Sequence, residues 1–135
     1  MAIKSCPLSI DKRQHETDNR GTPMFPCAGY ITTVGDNIIK LIPWHWHEEV
    51  EVMIVTKGSL KLDIPNRSII IKEGEGAFIN SSILQMAVNA DVGFSEVKSF
   101  VFNPLLISGS IESVIGQKYV RPLVDCSHLN LIHFQ

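Results

Sequence analysis

The sequence predicts an all-β domain whose strands are arranged as a sandwich or a barrel. Short segments rich in β-branched and aromatic residues follow one another closely, and turn-forming residues such as glycine, proline, asparagine and aspartate separate them. In Ser59–Ile64, leucine or isoleucine alternates with polar residues, which is typical of a strand with one face on a core and one in water. A chain of 135 residues, 44% hydrophobic and 19% charged, is expected to fold as one domain.

The predicted strands and turns follow in a regular order after residue 27. Strands are predicted over residues 28–33, 38–42, 59–64, 68–72, 77–80, 84–90 and 94–103, with a further extended segment over 43–58. The turns between them are placed at residues 35–37, 65–67, 73–76, 81–82 and 91–93. Strands joined by such short turns are expected to pair as antiparallel hairpins.

The two ends of the chain depart from this pattern. Residues 1–26 are mostly polar without a sustained period, and we expect an N-terminal arm there, which leaves 27–135 for the barrel. One or two short helices are expected near the C-terminal end: Ser110 is a suitable N-cap for a helix over 111–119, and Pro122 is expected to end it. A final apolar strand, 129–134, reaches almost to the last residue, so we expect the chain to be part of a longer protein.

Composition excludes several classes of function. Twelve basic and fourteen acidic side chains give a net charge of -2, and the chain lacks the basic stripe that binds nucleic acid. Cys6, Cys27 and Cys126 are far apart in sequence and odd in number, which favours thiols in a reducing compartment over a disulfide framework. The sequence has no signal-peptide pattern and no membrane-spanning apolar run. We therefore expect a cytoplasmic protein.

Two histidines and a glutamate form the most informative pattern in the chain. His45, His47 and Glu51 have the same parity, so an uninterrupted strand would place all three side chains on one surface. Imidazole and carboxylate groups in a row are suited to binding a divalent metal or a polar ligand. Trp44 and Trp46 have the opposite parity and are expected to pack on the other face.

A purely structural interpretation of these residues stands beside the functional one. The two imidazoles would fill an open barrel end, and Glu51 would accept their hydrogen bonds. Gln85, further along the chain, would satisfy a nearby backbone group. Under this interpretation the domain is a structural barrel with an empty interior.

The spacing His45-x-His47-x3-Glu51-x6-Gly58 resembles the first motif of the cupins, a superfamily of double-stranded β-helix, or jelly-roll, barrels. The segment 74–80 resembles the second cupin motif, with asparagine at position 80 where proline is usual. Gln85 stands where the family's last metal-binding histidine would fall. Because a neutral amide oxygen is a weak ligand for Zn, Fe or Mn, this departure lowers the expected metal affinity.

Four segments extend the resemblance over most of the chain, from about residue 20 to the end. Residues 20–26, 43–49, 76–81 and 102–110 are similar to the N-terminal cupin domain of AraC-type bacterial transcription regulators. In that family the barrel senses a small effector and often dimerises, while a separate C-terminal domain with helix-turn-helix units contacts DNA. The resemblance implies a homodimer whose helix-turn-helix domain is absent from this chain. We expect no contact with membranes.

The same resemblance assigns roles to individual residues. It implies that His45, His47, Glu51 and Gln85 line an effector-binding site. It also implies that the arm folds over the effector, which makes Arg20 and Phe25 further candidates. A sugar, an organic acid and an aromatic compound all remain open as effectors.

The predicted function is non-enzymatic, with no catalytic residues and no obligatory cofactor. A site for Zn, Fe, Mn or Ni at His45, His47 and Glu51 remains open. The alternative function is a stand-alone metal-dependent cupin enzyme, such as a dioxygenase or isomerase, in which these three residues hold the metal and leave positions open for substrate.

Overall fold

The computed structural model of the chain describes residues 3–4, 9–17 and 20–135. Within these residues the strands are β1 Ile3–Lys4, β2 Cys27–Gly35, β3 Leu41–His45, β4 Val50–Lys57, β5 Ser59–Ile64, β6 Arg67–Lys72, β7 Gly76–Ile79, β8 Gln85–Asn89, β9 Phe94–Phe102 and β10 Leu131–Phe134. Residues 1–2, 5–8 and 18–19 of the predicted arm, with Cys6 among them, lie outside the described residues. The division into an arm over 1–26 and a barrel over 27–135 stays a prediction.

The described strands form two sheets that face each other. One has six strands in the order β1-β2-β9-β4-β7-β10, and the other has four in the order β3-β8-β5-β6. The pairing is antiparallel except between β1 and β2. The hydrophobic core lies between the sheets, where Val55 and Ile79 of the larger sheet meet Leu60, Leu62 and Ile71 of the smaller one at 0% exposure. The all-β prediction is confirmed.

The segment that carries the two histidines is divided between the sheets. β3 ends at His45 and pairs with β8, whereas β4 begins at Val50 and pairs with β9. The register shifts between Ile42 and His45, a step that includes Pro43, which has no N–H to donate to a ladder. The prediction that one uninterrupted strand carries all three side chains was therefore wrong, because residues 46–49 cross from one sheet to the other.

The C-terminal helices also differ from the prediction. A short helix, α1, spans Leu105–Ser108, and a continuous helical segment runs over residues 114–124 and ends in α2, Arg121–Val124. Between them the turn Gly116–Val120 is π-helical, and the N–H of Arg121 donates to the carbonyl of Gly116. Pro122 follows this π-helical turn inside the continuous helical segment, so the prediction that it ends the helix was wrong.

In the part of the chain that the structure describes, the helices are too short to cross a membrane.

Candidate ligand and metal site

A cavity of about 40 Å³ lies inside the barrel, between the two sheets. Its polar lining includes the buried side chains of Glu16, His45, Glu51 and Gln85, and its apolar lining includes Met53. A cavity needs about 10–15 Å³ to hold one water by this measure, so this one has room for about three. In the described conformation the space suits water, an ion or a very small molecule.

The tautomer of His45 follows from its hydrogen bonds. His45 ends β3 opposite Gln85, and its Nδ1 lies 2.8 Å from the carbonyl oxygen of Pro43. Because a carbonyl only accepts, Nδ1 is the donor and the lone pair of neutral His45 lies on Nε2. Burial lowers the pKa of His45, although the bond to Pro43 and the charge of Glu51 oppose that effect. His45 is therefore held neutral, with Nε2 available as a ligand atom.

His47 makes a charged pair with Glu51. His47 Nδ1 donates to the carbonyl of Glu49 at 3.0 Å, and His47 Nε2 donates to Glu51 Oε1 at 3.0 Å. Two donating nitrogens mean that the ring is an imidazolium. Burial lowers the pKa of His47, but the hydrogen bond and the charge of Glu51 outweigh it and raise the pKa above its usual range. For Glu51, burial raises the pKa, but the hydrogen bond from His47 and the nearby positive charges together outweigh it and lower the pKa.

The arm contributes an acid and a base to the same region. Glu16 and Arg20 are both buried, and their side chains form an ion pair with 2.6 Å between Arg20 Nη2 and Glu16 Oε2. The same Glu16 oxygen lies 3.9 Å from His45 Nε2. The Arg20 guanidinium also lies 5.4 Å from the centroid of the Tyr30 ring. The ion pair thus lies within the arm, next to His45 at the end of β3.

The preceding residues attach the arm to the crossing between β3 and β4. The rings of His15 and Trp46 stack with centroids 4.3 Å apart, and His15 Nε2 lies 2.9 Å from Glu48 Oε2. Trp46 Nε1 donates to the carbonyl of Arg13 at 3.0 Å. Trp46 therefore packs against the arm, a contact that the alternation of side chains along a strand did not predict.

The structure places the sequence-predicted site residues in different positions relative to the cavity. His45, Glu51 and Gln85 line it, and His47 is joined to it through Glu51. Arg20 approaches through Glu16, whereas Phe25 is 46% exposed and is absent from the cavity lining. Glu16 was not among the predicted site residues, because the arm has no periodic pattern. The signal that could have pointed to it is its position four residues before Arg20, with which it forms an ion pair.

Three side chains are arranged as a group that could hold a metal ion. Glu16, His45 and His47 each offer one ligand atom, and these atoms lie within 4.8 Å of one another. All three residues are buried. The carboxylate of this group is Glu16, not the predicted Glu51, which is engaged with His47.

The two-sheet antiparallel barrel with its histidine pair at the interior defines the class of protein: the chain has the cupin double-stranded β-helix fold. An RmlC-like cupin-family protein of Methanocaldococcus jannaschii superposes with a TM-score of 0.53 at 14% identity, over 58% of this chain and 71% of that one. ToxT of Vibrio cholerae superposes with a TM-score of 0.57 at 10% identity, over 81% of this chain and 42% of that one. At these identities the likeness concerns the fold alone.

Sequence similarity adds a more specific relative. The chain is 40% identical over 78 residues to YdeC, an uncharacterised helix-turn-helix-type transcriptional regulator of Bacillus subtilis. The match covers 58% of this chain and 27% of that protein. No protein-family model matches the chain. The similarity to a transcriptional regulator and the cupin fold of this chain together agree with the predicted likeness to the cupin domain of AraC-type regulators.

Proposed function

We propose that the chain is the effector-sensing domain of an AraC-type transcription regulator and binds a small polar molecule in the barrel. The observation that carries the proposal is the environment of Gln85. This side chain is 3% exposed and lines the cavity, and its Nε2 has no hydrogen-bond partner among the residues that the structure describes. An unsatisfied buried donor costs about 1–3 kcal/mol, which a ligand oxygen or a bound water would recover.

The size of the cavity restricts the effector. Small-molecule sites usually measure about 300–1,000 Å³, whereas this cavity measures about 40 Å³. An effector of a few non-hydrogen atoms fits as the residues stand. A sugar or an aromatic compound requires the arm residue Glu16 to move away from His45, so binding of a larger effector would be coupled to the position of the arm.

Control of transcription would act through a DNA-binding domain outside this chain. The support is the regulator relative, of which the match covers 27%. An effector shifts such a protein only if it binds one arrangement of the domains more tightly than another. The arm, which contacts both His45 and Trp46, is the element whose arrangement the effector would select. A regulator of this kind works in the cytoplasm.

Self-association is the second part of the proposal, with a second copy of this chain as the partner. Five apolar side chains in and beside the helices are between 48% and 75% exposed: Ile107, Ile111, Val114, Ile115 and Tyr119. Sedimentation at several concentrations should show a dimer that Val114→Asp weakens. Val92→Asp, at a fully exposed turn, is the matched control. A monomer at all concentrations would remove dimerisation from the proposal.

The effector-binding role is tested by thermal-shift screening of chelator-treated protein against small polar metabolites. A ligand at one hundred times its Kd adds about 2.7 kcal/mol of stability. We expect the ligand-induced shift to be lost in Gln85→Met, which keeps the side-chain volume but removes the amide. Met86→Gln, on the opposite face of β8, is the control and should keep the shift. Stabilising ligands that act equally on Gln85→Met would contradict the proposal.

A metal-dependent enzyme is the alternative, and the group of Glu16, His45 and His47 is the observation that favours it. Three protein ligands leave a coordination position for a substrate. The enzyme hypothesis predicts turnover that is lost together with the metal in His47→Ala. Stoichiometric metal without turnover of small polar substrates would leave the sensing role and exclude the enzyme.

A further inference from the structure

We propose that Glu16 of the arm joins His45 and His47 in binding one divalent transition-metal ion, so that the arm itself supplies a ligand inside the barrel. This deepens the proposed function, on which it rests for the biological role of the ion, but the binding itself follows from the geometry of the three residues. Glu51, the acid of the sequence motif, has a different role as the partner of His47.

The separation of the donor atoms suits a metal after a small adjustment. The three ligand atoms lie within 4.8 Å of one another. In a tetrahedral site with metal–ligand distances of about 2.1 Å, ligand atoms are about 3.4 Å apart. The backbone of Glu16 is held by a β-bridge to Ile10 and by its N–H, which donates to the Trp46 carbonyl at 2.8 Å. The adjustment therefore consists of side-chain rotation that brings the Glu16 carboxylate closer to the two imidazoles.

The hydrogen bonds behind the three residues are those that metal ligands need. His45 Nδ1 donates to Pro43 O and His47 Nδ1 donates to Glu49 O, which leaves the Nε2 atom of each ring to bind the ion. Metal-binding histidines almost always donate their other N–H in this way. The Glu16 carboxylate forms an ion pair with Arg20, and its two oxygens allow it to bind a metal at the same time.

Metal binding would replace a proton. The Nε2 proton that His47 now donates to Glu51 leaves to solvent when the nitrogen binds the ion.

The test measures metal binding by the chain after removal of any affinity tag and of bound metal with chelator. Zn²⁺ titration by calorimetry and Co²⁺ titration by visible absorption should each give one equivalent. Glu16→Gln, which keeps shape but removes the charge, should weaken binding by at least about 100-fold, beyond the effect usual for residues behind the ligands. Glu73→Gln, which changes an exposed acid in the turn before β7, is the matched control and should bind like the wild type.

Three results would overturn the inference: absence of Zn²⁺ or Co²⁺ binding by the wild type, Glu16→Gln binding within threefold of it, or Glu51→Gln weakening binding more than Glu16→Gln. A second readout follows the arm directly. Lys12 and Arg13 are exposed in the arm, and Zn²⁺ should slow their cleavage by trypsin in the wild type but not in Glu16→Gln. Equal cleavage rates with and without Zn²⁺ would contradict an arm ligand.

The failure of this inference is distinguishable from failure of the proposed function. A protein that binds no metal but is stabilised by an organic ligand through Gln85 keeps the sensing role and loses the metal site. A protein that binds metal through Glu16 but no organic ligand keeps the metal site, with the ion itself as the sensed species.

Discussion

The Nε2 atom of His47 lies 3.0 Å from Oε1 of Glu51, and both side chains are buried within the barrel. His45, two residues earlier, has a neutral ring with its own Nε2 near Glu16. The pKa values of the two histidines of one short motif are thus shifted in opposite directions. This difference follows from their neighbours: His47 has a carboxylate in direct contact, while burial dominates the environment of His45.

The first prediction concerns these two rings in chelator-treated protein. The pKa of His47 should lie above 6.5 and that of His45 below it. The stability that His47 contributes is fully present below pH 6.5 and is lost as pH rises through its folded-state pKa. For His45 the sign is opposite, because the unfolded chain binds a proton more readily, and stability falls as pH drops below 6.5. NMR titration of the ring resonances measures both, and a common midpoint would contradict the assignment.

The second prediction concerns Glu51→Gln. Loss of the charged acceptor should lower the free energy of unfolding at pH 5.5 by about 2–3 kcal/mol, in the range for hydrogen bonds to charged groups. The contribution of Glu51 is present above its usual pKa of 4.5 and is lost as pH falls through its lowered folded-state pKa. Urea denaturation of the variant and of Glu73→Gln, which changes an exposed acid in the turn before β7, compares the two acids. Equal effects of the two substitutions would show that the pair does not stabilise the fold.

The third prediction concerns the glycine of the histidine motif. Gly58 has φ +71°, and a Cβ there would lie 2.6 Å from the carbonyl oxygen of Phe94. Gly74 has φ +86°, and a Cβ there would meet no described atom within 4 Å. Gly74→Ala should cost only the backbone strain of about 1–2 kcal/mol. Gly58→Ala should cost about 1–3 kcal/mol more because of crowding, and thermal unfolding of both variants measures the difference.

The fourth prediction concerns Asn80, which is 2% exposed. Its Nδ2 donates to the carbonyls of Leu123 at 3.0 Å and of Leu129 at 2.8 Å. Asn80→Ala removes this donor from both carbonyls, of which that of Leu123 still accepts from the Cys126 N–H, and should cost about 1–3 kcal/mol. Hydrogen exchange should increase mainly in residues 121–130. Asn89→Ala, whose side chain bonds only within its own turn, is the control and should leave that region unchanged.

The strands were predictable because their signals are local. Ser59–Ile64 alternates in sequence and alternates in burial, and turns at 65–67 and 73–76 have residues suited to them. The helical segment was less predictable, because the π-helical turn before Pro122 depends on hydrogen bonding that no residue pattern marks. The predicted start at residue 111 lies three residues before the observed helical conformation.

The candidate site was predictable in part. His45, His47 and Glu51 lie close together as their spacing predicted, although the strand between them is interrupted. The reason is that the end of β3 and the start of β4, which belong to different sheets, both face the barrel interior. Glu16 was not predictable, since its contact with His45 joins residues far apart in sequence and the arm has neither alternation nor a motif. The stacking of Trp46 on His15 has the same non-local origin.

The loop between β7 and β8 has a mechanical consequence. Asn80 donates to the carbonyl of Leu123 near the end of the helical segment, and two residues later the Ser82 N–H donates to the carbonyl of His47 at 2.8 Å. Between them, the Ser81 hydroxyl donates to the carbonyl of Glu48. A displacement of the His47 backbone therefore strains hydrogen bonds to residues 80–82, so that three adjacent residues couple the position of the imidazole to the end of the helical segment.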